Sequence, residues 1–287
     1  MHGWLVLDKP EGITSTHAGR IVKRAFGQKK IGHAGTLDPF ASGVLPLALG
    51  EATKTMPYLM NGSKTYQFTL SFGAQTTTGD TEGEIVATSE HRPSLEDIYS
   101  SLKIFTGLIQ QTPPIYSAIK IKGKPAYKRA RDGEEIDMPS RQVKIYDLTL
   151  DAYEGGNATL SVTCGTGTYV RSLGRDLALY LGSVGHLTML RRTRVGHFNI
   201  DNAISLENIK KIGDTSLACF LLPIGSVLDD IPAVSVSFQK ATKIQHGQAV
   251  EVCKSNCSNT SVWLDDKLIA LGHVQDNIFY PDRVFNI

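Results

Sequence analysis

The chain has 287 residues, 41% of them hydrophobic and 20% charged, with a net charge of +2. That composition excludes a disordered chain and leaves room for one large domain, or one large and one small. No window of 18 uninterrupted apolar residues occurs, and "MHGWLVLDKPEG" breaks into charge and turn residues too early for a signal peptide, so a cytoplasmic protein with no membrane partner is expected.

In chain order, "GWLVLDKPEGITS" predicts a short strand and a Lys-Pro turn. "STHAGRIVKRAFG" predicts a helix with Ser15 or Thr16 as its N-cap and Gly27 as its stop. "VLPLAL" is a buried strand or the start of a helix, and "KTYQFTLSFG" alternates as a strand that enters a turn at Gly73. "TTTGDTEGE" is turn chemistry ahead of "IVATS". "SLEDIYSSLKIFTG" has helical spacing, a Ser94 cap and acids in its first turn. "QQTPPIYSAIKIKGKPAYKRARDG" predicts a loop ending in a short basic helix. "RQVKIYDLTLDAYEGGNATLSVTCGTG" predicts two strands around Glu154–Asn157, and "YVRSLGRDLALYLG" a helix after a glycine-rich turn. Beyond Leu222-Pro223 the texture changes to short strands with Gly, Asn and Asp turns.

Strands and helices mix without regular alternation, so the expected class is α+β with a mixed, largely antiparallel sheet. Residues 1–227 would form the main domain and residues 228–287 a small β-rich one, with the boundary near Val227. No GxxxxGK[ST] is present, and "GTGTYVRSLG" lacks the third glycine of a dinucleotide fingerprint, so no nucleotide cofactor is expected. Cys253 and Cys257, with His246 and His273, are too loosely spaced for a metal site; free or buried thiols are the simpler reading, and no metal is expected.

Charge is clustered. Lys120, Lys122, Lys124, Lys128, Arg129, Arg131, Arg141 and Lys144 form one group, and Arg171, Arg175, Arg191, Arg192 and Arg194 a second. Interleaved with tyrosines, such groups suit a phosphate backbone, although either alone also fits a solvated surface.

One stretch carries a chemical question. In "KKIGHAGTLDPFASGVLPLALGEATK", Asp38 stands on a small-residue turn just before a run that must be buried. Pro39 steers Asp38 away from helical geometry. An Asp-Pro turn former or a helix N-cap explains this. A catalytic carboxylate also does, provided polar partners converge on it. The candidates are Lys9, His33, Tyr66, Asp80, Tyr169 and Arg171. Tyr169 and Arg171 are two residues apart, so on an extended backbone they share a face.

"GHAGTLDPFASGVLPLALGEATK" resembles the aspartate motif of the bacterial-type tRNA pseudouridine synthase B family. "LDKPEGITS", "KTYQFTLSFGAQTTTGDTEGE", "GLIQQTPPIYSAIKIKGKPAYKRARDG" and "VTCGTGTYVRSLGRDLALYLGSVGHLTMLRRTRVGHF" resemble further motifs of that family, in family order over most of residues 3–200. The chain departs from it at Phe40-Ala41-Ser42 and at Gly185, positions that bear on packing. The tail from about Asp229 is similar in size and texture to the RNA-binding appendix of such enzymes; a plain stabilising module is the alternative.

The resemblance implies isomerisation of the uridine at position 55 in the T loop of tRNA, with no cofactor. Asp38 matches the catalytic aspartate, Arg171 its partner and Tyr66 the tyrosine stacked on the target base. Tyr169 matches a second tyrosine near the sugar. His33 matches the histidine that fills the gap left by the extruded base, and Asp80 the acid of the "TTTGD" turn. Lys9 would support the pocket or meet phosphate, and Leu190 would be an apolar wall. The resemblance further implies tRNA as the partner, gripped at the T arm by the Lys120–Lys144 stretch, and a monomer. An RNA-folding module, a hydrolase using Asp38 with Asp80, and a structural RNA-associated protein are the rival readings.

Overall fold

The computed structural model describes residues 1–121, 123–211 and 217–286, so Lys122 of the first basic group lies outside the described residues. The elements run β1 (Gly3–Lys9), α1 (Ser15–Ala25), β2 (Ile31–His33), β3 (Ser42–Leu49), a 3-10 turn (Gly50–Thr55), α2 (Met56–Met60) and β4 (Lys64–Phe72). There follow β5 (Ala74–Thr76), β6 (Ile85–Thr88), α3 (Leu95–Leu102), β7 (Gly107–Gln111), β8 (Lys120–Ile121), β9 (Lys124–Pro125) and α4 (Ala126–Arg131). Next come β10 (Arg141–Glu154), β11 (Asn157–Cys164), α5 (Val170–Tyr180), β12 (Gly185–Val195), β13 (Phe198–Asn199), β14 (Ile204–Ser205) and α6 (Leu206–Lys211). The last are β15 (Ala233–Ser235), α7 (Phe238–Gln245), β16 (Val250–Glu251), β17 (Cys257–Leu264), β18 (Lys267–Gln275) and β19 (Ile278–Val284).

Ten strands form one sheet, with the path β14-β1-β3-β12-β4-β11-β10-β7 and with β13 and β2 attached to β12 and β3. Only the β1–β14 and β3–β12 pairs are parallel. The fold is therefore α+β with a mixed, largely antiparallel sheet. Every residue of β3 is buried, which is why "VLPLAL" reads as an unbroken apolar run rather than an alternating one. Period-two alternation sorts the apolar side chains onto two faces. Leu5, Leu7, Leu45 and Leu47 join α1 and α5 in one core. Trp4, Val6, Val44 and Ala48 join a second core that includes Leu268, Leu271 and Phe285. The second face of the large sheet is thus covered in part by side chains of β18 and by Phe285, which follows β19.

The parallel contact of β3 with β12 is close. A Cβ added at Gly43 would lie 2.1 Å from the Arg192 carbonyl oxygen, and Gly43 has a φ of +101°. Glycine is required there by both space and conformation. At Gly185 a Cβ would crowd Leu70 Cδ1 at 2.8 Å and the Ser71 carbonyl oxygen at 3.0 Å, so a larger residue there needs its neighbours to shift.

A smaller curled sheet runs β15-β17-β18-β19-β16. Its β18–β19 hairpin turns on Asp276 and Asn277, both with positive φ, as a two-residue turn requires.

Two local expectations are corrected. The N-cap of α1 is Thr14, whose hydroxyl accepts from the His17 amide at 3.1 Å. Ser15 instead exchanges hydrogen bonds with both backbone groups of Leu37. In the tail, "SFQKATKIQHG" is the helix α7 rather than strand: Ser237 caps it, and Ala241 and Ile244, three residues apart, are its buried stripe.

Candidate active site

The loop between β2 and β3 carries Asp38. Ser15 holds it through Leu37, and the Gly12 amide donates to the Pro39 carbonyl at 2.9 Å. Lys9, wholly buried, donates to the carbonyls of Pro10, Ile13 and Pro39 at 2.7, 2.8 and 3.3 Å. Burial pushes its ammonium down to about 8, against the opposing pull of Asp38. Of the two uses open to Lys9, the geometry fits supporting the loop, since no face of it meets solvent. Asp38 does form a turn, its carbonyl accepting from the Ala41 amide at 3.1 Å. Its carboxylate is not spent on that turn; it points to Arg171.

Arg171 lies in the first turn of α5, with only Tyr169 extended before it. The shared-face argument from an extended backbone therefore fails, and a helix start brings the two side chains to one pocket instead. The Arg171 side chain is 4% exposed and its guanidinium meets four acceptors. Nη2 is 2.8 Å from Asp38 Oδ2 and donates to the Tyr116 carbonyl at 2.9 Å. Nη1 donates to the Thr78 carbonyl at 2.8 Å and stands 3.4 Å from Asp80 Oδ2. Asp80 is itself buried, and accepts from the Thr78 hydroxyl at 2.5 Å and the Glu82 amide at 3.0 Å. The planar fork of arginine suits this bridging position in a way a lysine ammonium does not.

A pocket of about 340 Å³ opens beside this pair. Its walls include Asp38, Tyr66, Tyr169, Arg171 and Leu190. Registry explains the walls: β4 and β12 pair so that Leu190 opposes Phe68 and Arg192 opposes Tyr66. Tyr66 is buried, and burial pushes its phenol up. The Arg192 guanidinium lies 6.0 Å from the centre of the Tyr66 ring and donates to the carbonyls of Val44 and Gly35 at 2.7 and 2.9 Å. The Tyr169 amide donates to Gln111 Oε1 at 2.8 Å, and the Arg141 guanidinium lies 5.3 Å over its ring.

The structure does not bring every expected residue to the wall. Lys9 and Asp80 stand behind it, holding Asp38 and Arg171. His33 ends β2 outside the lining; burial, then Arg192, pushes its imidazole down, so it is neutral at neutral pH, and its Nδ1 is buried without a partner. Sequence reasoning missed Lys64, and gave Arg141 and Arg192 to surface groups. All three line the pocket. The signal was available, because Lys64 lies two residues from Tyr66 and Arg192 two from Leu190 on extended strands.

Most of the second basic group is turned inward or paired, and only Arg194 is exposed among its described members. Arg171 and Arg192 are buried in the site, Arg191 pairs with Asp8 at 2.8 Å, and Arg175 with Asp176 at 2.8 Å. In the first group, Lys120, Lys124, Lys128 and Arg131 are exposed, while Arg129 pairs with Glu134 at 2.6 Å. Among the described residues no three His, Cys, Asp or Glu side chains are grouped as a metal ion would need. No helix among them is long and apolar enough to cross a membrane.

This sheet and pocket belong to a pseudouridylate synthase. Residues 23–170 match the N-terminal domain of the TruB family pseudouridylate synthases, and residues 171–229 match a tRNA pseudouridylate synthase B C-terminal domain. The seam between the two matches runs through the pocket, beside Arg171, rather than between the two sheets. The tRNA pseudouridine synthase B of Bradyrhizobium diazoefficiens is 48% identical, covering 100% of this chain and 86% of that protein. That of Ehrlichia chaffeensis is 42% identical and covers 100% of both. Among solved structures, a Cbf5-Nop10-Gar1 complex matches 98% of this chain and 84% of that one at 26% identity and a TM-score of 0.72. An H/ACA RNP bound to a substrate RNA shares the fold, with a TM-score of 0.73 at 23% identity over 99% of this chain and 85% of that one. The chain belongs to the TruB family.

Proposed function

We propose that this protein isomerises uridine to pseudouridine at position 55 in the T loop of tRNA, with Asp38 as the catalytic carboxylate. The observation that carries this is the Asp38–Arg171 pair at 2.8 Å, presented on the wall of a pocket that also holds Tyr66, Tyr169 and Leu190. The reaction breaks the N1–C1′ bond, turns the uracil and joins C5 to C1′; C5 loses a proton and N1 gains one, so mass is conserved. No group is transferred from outside, so the reading calls for no cofactor. Positive charge grows on the sugar as the bond breaks, and a carboxylate stabilises or captures it. Attack at C1′, removal of the C2′ proton and addition to the base all use an ionised Asp38.

Tyr66 is a platform for the pyrimidine and Leu190 an apolar wall. The uridine must leave the stack to reach them, and base flipping costs a few kcal/mol. A neutral His33 suits stacking in the gap. Lys9 and Asp80 serve the substrate through the groups they hold. The exposed lysines of the first basic group grip the T arm, so binding weakens steeply with salt. The main domain ends near Val227, and residues 228–287 add RNA contact. We read the protein as a cytoplasmic monomer. The hydrolase alternative needs Asp80 as a second carboxylate facing the pocket, and Asp80 is buried behind Arg171.

The test is tritium release from unmodified tRNA transcript labelled at uracil C5, run with the wild type and Asp38→Asn, alongside RNA binding by both. Release by the wild type alone, with binding kept in the variant, is expected. Equal release by Asp38→Asn removes Asp38 from the chemistry. Binding by the wild type without release favours an RNA-folding role.

A further inference from the structure

Donors without acceptors occur in the pocket lining and, at Gln111, behind it. Ser117 is 4% exposed, lines the pocket, and its hydroxyl has no hydrogen-bond partner. Arg141 lines the same wall; its Nη2 donates to the Gly167 carbonyl, but its Nε is buried and unpartnered. Gln111, whose Oε1 accepts from the Tyr169 amide, has an unpartnered Nε2. An unmet buried polar group is destabilising, so the Ser117 hydroxyl and Arg141 Nε in the lining are a standing cost unless a ligand meets them.

The backbone there has the same polarity. Helix α5 spans 11 residues and begins in the pocket wall, where Val170 and Arg171 contribute to the lining. No side chain caps its N-terminus, and its first turn holds no acid. Such an end carries partial positive charge and free amides. The side-chain charges point the same way. Arg171 has two carboxylate partners, whereas Lys64, Arg141 and Arg192 have none within ion-pair distance among the described residues. The glycine-rich segment "GTGTYVRSLG", which fails as a dinucleotide cradle, is the turn that delivers this helix end.

We propose that the start of α5, with Arg141 and Ser117, forms a binding subsite for a backbone phosphate flanking the target uridine. A phosphate supplies what this wall lacks: a full negative charge and several acceptor oxygens. A neutral uracil carbonyl would meet one donor and leave the helix end and Arg141 uncompensated. The inference rests on the proposed RNA substrate, and it adds a second anchor. Tyr66 and Leu190 take the base, while Arg141 and the helix end fix the ribose between them. Arg141 stacked over Tyr169 links that anchor to the tyrosine beside the sugar.

The test uses an unmodified T-arm stem-loop in which the linkage 5′ or 3′ to the target uridine is a neutral methylphosphonate. Dissociation constants are measured by filter binding for the wild type, Arg141→Met and Ser117→Ala. At one of the two linkages, the wild type should lose about tenfold or more in affinity, the scale of hydrogen bonds to a charged group. Arg141→Met should bind the phosphodiester weakly and lose less than about twofold further on neutralisation, the non-additivity expected of direct partners. Ser117→Ala, a mild change for folding, should show an intermediate loss. Equal penalties for all three proteins at both linkages overturn the proposal. So does a wild type indifferent to both methylphosphonates, which returns the donors to the base. Tritium release from the phosphodiester RNA is scored separately. Its absence, with the linkage effect present, would sink the isomerase reading and leave the phosphate site standing.

Discussion

Around the pocket, Lys9, Lys64, Asp80, Arg171 and Arg192 are each no more than 9% exposed. In the five-stranded sheet the buried polar side chains among the described residues are Thr260 and Ser261, and the His273–Asp282 pair stands in solvent at 41% and 59% exposure. One chain has therefore built two kinds of interior. The small sheet is apolar inside and keeps its ions where water screens them. Among the described residues, the large sheet takes ions out of water at one place, around the pocket, where several kcal/mol of desolvation per ion must be met by close partners. That cost concentrates beside the pocket, where the Asp38 carboxylate and the Arg171 guanidinium pair.

The comparison breaks most readily at Arg171. Arg171→Met leaves Asp80 buried without its cation, and a loss of about 3–5 kcal/mol is expected in urea unfolding. The double change with Asp80→Asn should recover part of it. A loss below 1 kcal/mol would mean the pocket ions are no more costly than those of the small sheet. Next is Gly43→Ala, which forces a Cβ into the Arg192 carbonyl at a positive φ; about 2–4 kcal/mol is expected in thermal unfolding. Tolerance of that change would show that the β3–β12 contact is not tight.

Lys9 gives a smaller, pH-dependent effect. Its value falls from the ordinary 10.5 to about 8 on folding. Between those values the unfolded chain binds the extra proton, so the contribution of this group to stability rises as pH climbs from 8 to 10.5. Urea midpoints of the wild type and Lys9→Met at pH 7.5 and 9.5 should diverge in favour of the wild type at the higher pH. A constant difference would refute the burial effect. The smallest effect is expected from His273→Ala in the small sheet, about 0.5 kcal/mol or less in the same assay, because exposed pairs are screened. A loss comparable to that of Arg171→Met would erase the contrast.

The strands of the large sheet were legible because their burial is periodic: β4 alternates without a break, and β3 is apolar throughout. The Ser94 cap was legible too, its box with Asp97 being a three-residue relation. The α1 cap, read as Ser15 or Thr16, was misplaced by one or two positions because Thr14, Ser15 and Thr16 are equivalent until tertiary contact recruits Ser15 to Leu37. Helix α7 was hidden by its brevity; one pair of buried residues does not establish a 3.6-residue period. Asp38 and Arg171, singled out through their motifs, do meet beside the pocket. The inward turn of Arg141 was not legible, since charge clustering says nothing about which side of a strand or loop a cation occupies; that of Arg192 was legible only from its two-residue spacing to Leu190, not from the charge cluster. That Asp80 and Lys9 lie behind the wall rather than in it is a matter of burial, which no spacing rule reports.

Glu51, in the 3-10 turn after β3, has one further consequence. Its amide donates to His2 Nδ1 at 3.1 Å, and its carboxylate accepts from the Asn286 amide at 3.0 Å. Lys54, three residues on, donates to the Val284 carbonyl at 2.6 Å. Residues 2 and 286 are thereby tied to one residue, through its backbone amide and its carboxylate, so the path of the backbone is almost a closed ring. A short linker joining these two positions would close that ring. New ends could then be opened in the exposed turn at Asp132–Gly133, giving a permuted chain with the same sheet order and the same pocket.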